Sequence, residues 1–90
     1  MTTYTITLSS DELAFVLAAV REDLSQSVRY RDETLADEHP AADYWVDRSI
    51  RLARLWQQIT TDALQGYYPA DPLVTAVLES SPVAIPPASG

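Results

Sequence analysis

The sequence predicts a mainly α fold: an antiparallel two-helix hairpin with a short N-terminal β-strand, a short third helix and an extended C-terminal tail. Three observations carry this. Apolar residues recur at spacings of three and four over residues 13–35 and again over 45–63. A serine–acid capping signal opens the first run, at Ser9-Ser10-Asp11-Glu12. Turn chemistry, Asp37-Glu38-His39-Pro40, separates the two.

Residues 2–8 alternate, with Tyr4, Ile6 and Leu8 on one side and Thr3, Thr5 and Thr7 on the other. Period two with β-branched residues reads as a strand. A lone strand cannot satisfy its own backbone, and Val83-Ala84-Ile85, hemmed in by Pro82 and Pro86, is a poor partner. Ser9 then serves as N-cap with Glu12 at N3, and Leu8 and Leu13 hold the staple positions around them. Asp11 and Glu12 also suit the positive end of the helix dipole. The first helix is expected over 10–36, since the residue before Pro40 avoids the α region.

Its stripe is Leu13, Leu17, Val20, Leu24, Val28, Arg31 and Leu35; the second helix, over 41–65, shows Trp45, Ser49, Leu52, Trp56, Ile59 and Ala63. Facing residues of an antiparallel hairpin have numbers with a constant sum. Leu35 with Trp45, Val28 with Leu52, Leu24 with Trp56 and Leu17 with Ala63 each give 80, as do the polar members Arg31 and Ser49. Gly66 is a natural stop, and Asp71-Pro72 opens a short helix over 72–79. Residues 1–79 thus form a single helical domain, and the Pro-rich stretch 80–90 a flexible tail.

Composition narrows the function. Six arginines, no lysine and thirteen acids give a net charge of -7, which repels nucleic acid phosphates and anionic membranes. Direct nucleic acid or membrane binding is therefore not expected. There is no cysteine, so no disulfide or thiolate metal site enters the fold. The start lacks the basic and apolar regions of a signal peptide, and the longest apolar run, 13–20, is far short of a membrane span. A cytoplasmic protein is expected.

No catalytic, cofactor or metal site is expected either. The one histidine has no nucleophile beside it, and Ser9 and Ser10 read as caps. Asp37, Glu38, His39 and Asp43 are the right kinds of metal ligand, but their spacing fits a solvated turn. Asp11, Glu22 and Glu33 recur every eleven residues along one helix side, a spacing of about 16 Å at 1.5 Å per residue. Neighbouring phosphates on a DNA strand lie about 7 Å apart, so an acidic mimic of nucleic acid needs more charges in between. It stands as the alternative reading.

Apolar surface exceeds what one hairpin buries. Phe15, Ala18 and Ala19 lie opposite Leu13 on the first helix, and Val46, Ile50, Ala53 and Leu64 widen the arc of the second. Phe15 shares its side with Glu22, Gln26, Arg29 and Glu33, so nothing in the hairpin covers it. Residues 44–66 carry three arginines against two aspartates, while 1–43 carry three arginines against nine acids. Arg51 has a ready partner in Asp47 one turn earlier. The candidate protein-binding surface is Phe15, Ala18, Ala19, Glu22, Val46, Ile50, Arg51 and Arg54. The excess can be covered by a homodimer, packed hairpin on hairpin and strand on strand, or by the third helix folding back.

The opening Thr5-Ile6-Thr7-Leu8-Ser9-Ser10-Asp11-Glu12-Leu13, the acidic turn and Tyr44-Trp45 opening a second helix together resemble small accessory proteins of bacteriophages and mobile elements. The resemblance covers residues 4–66 and implies a non-enzymatic protein that works by binding a host factor. It transfers no site residues.

Overall fold

The computed structural model describes residues 2–64 and 71–80. Three helices make up its regular structure: α1, Ser10–Ala36; α2, Ala42–Leu64; and α3, Pro72–Glu79. The start of α1 is the expected capping box. Ser9 N–H donates to Glu12 Oε1 at 2.8 Å, and Glu12 N–H donates to Ser9 Oγ at 3.1 Å. The bond from the Ser9 N–H, helped by the Ser9 hydroxyl, holds the Glu12 carboxyl below its ordinary pKa.

The helix ends in a paired backbone motif. His39 N–H reaches Thr34 O at 2.8 Å and Glu38 N–H reaches Leu35 O at 3.1 Å, with Glu38 left-handed at φ 53°. Glycine is the usual residue there, because a Cβ crowds the following carbonyl. The reversal continues as Ala41 N–H donates to His39 Nδ1 at 3.0 Å. Pro40 therefore lies in the turn, just before α2.

α1 and α2 run antiparallel. Arg48 is hydrogen-bonded to Asp23, and further toward the turn the Tyr30 and Trp45 rings lie 4.8 Å apart. The Asp23 carboxylate holds the Arg48 guanidinium above its ordinary pKa, chiefly through that hydrogen bond. The expected register is corrected here. Trp45 meets Tyr30, five residues earlier on α1 than Leu35, and Leu35 is left 51% exposed. Leu24 and Trp56 still share one core, but Ala63 is exposed. Small residues line the seam in this stretch: Ser27 and Ser49 are both completely buried. The expected stripes include Ser49 but leave out Ser27, although a small side chain lets helices pack closely.

Ser49 satisfies its hydroxyl by donating to Val46 O at 2.9 Å. Arg31, expected in a polar layer with Ser49, instead donates through Nε and Nη2 to Asp32 Oδ1, at 3.0 and 2.9 Å. Arg31 and Ser49 do line the same groove.

α3 supplies the second layer. Val74 and Val77 enter one core with Leu17, Leu24, Ile50, Ala53 and Trp56. Each fully buried aliphatic of this kind contributes about 1.5–3 kcal/mol. Asp71 caps α3, accepting from Leu73 N–H at 2.9 Å and Val74 N–H at 3.4 Å, and takes Arg21 Nε of α1 at 2.6 Å.

The expected strand is the clearest correction. Residues 2–8 hold no regular structure, and there is no strand among the described residues. Within that set, residues 2–8 make no hydrogen bond, and Tyr4 and Ile6 are 80% and 74% exposed. A strand exists only through its partner, and the described residues offer none. Gly66 and residues 81–90 of the expected tail lie outside the described residues; Ser80 ends α3 as its C-cap.

The Asp71 junction has a pH signature. Burial is the largest single influence on its carboxyl and pushes the pKa up, but Arg21 and the two capping N–H groups together outweigh it, and the net shift is downward. A carboxyl depressed on folding stabilises fully above its unfolded value of about 3.9, and that stability is lost as pH falls through the lower folded value. Acid titration followed by circular dichroism should show helix loss below about pH 4. Asp71→Ala should cost about 0.5–2 kcal/mol for the cap at pH 7 and flatten this acid dependence. Asp71→Asn should keep most of the cap and still flatten it.

Candidate functional site

The N-terminal half of α1 is where the fold leaves apolar surface uncovered. Its inner side turns toward the core through Leu13 and Leu17; its outer side carries Phe15, 77% exposed. Between them run Ala14 and Ala18, both exposed and one turn apart. Each borders two depressions. One, of about 380 Å³, is walled by Leu13, Leu17 and Trp56 and bounded by Arg21 and Asp71. The other, an open hollow of about 520 Å³, is formed by Asp11, Ala14, Phe15 and Ala18. Small side chains thus make a shallow floor between two large aromatics. An apolar side chain from outside could rest on this floor against Phe15.

The expected surface residues divide into three groups. Phe15, Ala18, Ala19 and Glu22 lie together on the exposed side of α1, with Glu22 accepting a long 3.5 Å bond from Gln26. Val46 and Ile50 do not join them. Ile50 is only 8% exposed, with α3 residues Val74 and Val77 in the same buried cluster, and Val46 is half-buried against that cluster. This corrects their place in the candidate surface. At Val46, Ile50 and Ala53 the apolar arc of α2 is covered within the chain by the short helix.

Arg51 and Arg54 are exposed on α2. Arg51 Nε pairs with Asp47 Oδ2 at 2.8 Å, the expected one-turn contact. Arg54 makes no ion pair among the described residues. Near Arg51, Tyr44 and Leu55 stand 57% and 44% exposed, lining a further hollow with Asp47, Arg48 and Leu52.

Sequence reasoning missed Tyr4, Ile6 and Leu8 as surface. They were assigned to a strand face, which implies burial, yet they are exposed and lie just before the Phe15 region in the chain. The signal was present: an alternating apolar segment with no partner in reach.

Among the described residues no group of three or more histidine, cysteine, aspartate or glutamate side chains is placed to hold a metal ion. No helix in that set is long and apolar enough to cross a membrane. No family model, curated protein or solved structure matches the chain.

Proposed function

We propose that this protein is a non-enzymatic accessory module that acts by binding another protein, through the outer face of the N-terminal half of α1. One observation carries the reading. Phe15 projects 77% exposed from a floor of alanines, beside a groove that reaches Trp56. The fold gains nothing from an aromatic there, whereas aromatics in this setting are frequent anchors of interfaces.

The test separates folding from binding. Phe15→Ala should leave unfolding stability within about 0.5 kcal/mol, as for a surface change. It should weaken partner capture by about 2 kcal/mol, roughly thirtyfold in Kd. Quantitative cross-linking and mass spectrometry on lysate, with both forms as bait, reads this directly. Equal capture of the same proteins by both forms would overturn the reading.

A nucleic acid mimic remains the second reading, because Asp11, Glu22 and Glu33 are exposed and make no ion pair among the described residues. Against it, Asp23, Asp32, Asp47 and Asp71 are already engaged by arginines of the same chain. Binding that collapses with added salt and ignores Phe15→Ala would favour the mimic.

A further inference from the structure

We infer that residues 2–8 are completed by a second copy of this chain, pairing with their own counterpart as an antiparallel two-stranded ribbon. This rests on reading the N-terminal surface as a binding surface, and names its occupant. Four observations converge.

The first is the backbone. Residues 2–8 make no hydrogen bond among the described residues, so a full row of donors and acceptors is open for pairing. The second is the alternation. A two-fold axis perpendicular to a ribbon keeps each side chain on its own face, so Thr3, Thr5 and Thr7 meet threonines. Tyr4, Ile6 and Leu8 meet the same apolar set. No unrelated partner needs to be matched to this pattern; the segment is complementary to itself.

The third is charge. Residues 2–10 carry no charged side chain, in a protein of net charge -7. A basic partner would find nothing to grip there. Antiparallel pairing sends the two copies of α1 away from opposite ends of the ribbon. Seven residues at about 3.3 Å each hold the acidic bodies roughly 20 Å apart, beyond the Debye length of about 8 Å. The fourth is area. Tyr4 and Phe15, 80% and 77% exposed, offer about 300 Å² per chain between them. Ile6, Leu8 and the paired backbone bring the total toward the roughly 800 Å² per partner of a stable contact.

Light scattering of the full chain at micromolar concentration should report about twice 10.0 kDa. Neighbouring residues of a strand aim their N–H groups at opposite edges. Of Thr5→Pro and Ile6→Pro, at least one must therefore delete a ladder bond and return the mass to 10.0 kDa. Helix content should be unchanged, because the segment is not bonded to the helices. The protein has no cysteine, so single substitutions at positions 3–8 can be oxidised cleanly. Disulfide dimers should peak at one central residue and fall away on both sides.

A monomer at every concentration overturns the inference, and Phe15-dependent capture of another protein would then show that the binding surface itself stands. A dimer indifferent to both prolines but lost in Phe15→Ala also overturns it, as association through helix faces.

Discussion

Trp56→Ala is expected to lower the unfolding free energy by about 3–5 kcal/mol, the range for removing a buried large aromatic. Trp56 is 5% exposed and belongs to the cluster that draws Leu17 and Leu24 from α1 and Val74 and Val77 from α3. Truncation therefore removes side-chain packing shared by all three helices, and the void cannot close without moving a helix. Urea unfolding reads the change as a lower midpoint. Trp56→Phe should recover most of the loss. If α3 detaches in the variant, its slope will change as well, because the native state then exposes Ile50 and Ala53. A Trp56→Ala protein as stable as the parent would mean that the core lies elsewhere.

Leu24→Ala is expected to cost about 2–5 kcal/mol, because Leu24 is fully buried at the centre of the hairpin. Its natural control is Leu35, which the apolar stripe places on the same face. Leu35 is 51% exposed, so Leu35→Ala should stay within about 0.5 kcal/mol. The comparison tests alignment as well as burial. Equal, large losses at both positions would restore the register in which Leu35 opposes Trp45.

Helix bounds were legible almost to the residue, because capping signals are local. Ser9 with Glu12 opens α1, Asp71 with Pro72 opens α3, and the turn at 37–40 closes α1. Local rules see those groups because their partners are three or four residues away. Alignment was less legible. Stripe counting ranks positions by hydrophobicity, whereas Ser27 and Ala53, outside both stripes, are as fully buried as Ser49 within one. The N-terminal segment shows the opposite limit. Its alternation predicts a strand that the structure does not form, because pairing needs a second strand and no pattern within residues 2–8 supplies one.

The candidate surface was legible in part for the same reason. Phe15 stood out because its side of α1 is otherwise polar, a comparison made within one helix. Ile50 was misplaced because its cover comes from α3, which packs through Val74 and Val77, with Arg21 meeting Asp71 fifty residues away. A contact of that range leaves no trace in local periodicity.

The two buried serines have a consequence for how many ways the helices can lie together. A seam of leucines alone can slip by a turn, about 5.4 Å, and still find leucine against leucine. Ser27 lies between Asp23 and Tyr30, and Ser49 one residue past Arg48, so both fall in the same stretch of contact. Slipping would press bulk into the narrow stretch and leave a hollow where bulk had been. The hairpin excludes its wrong alignments by where it lacks side-chain volume.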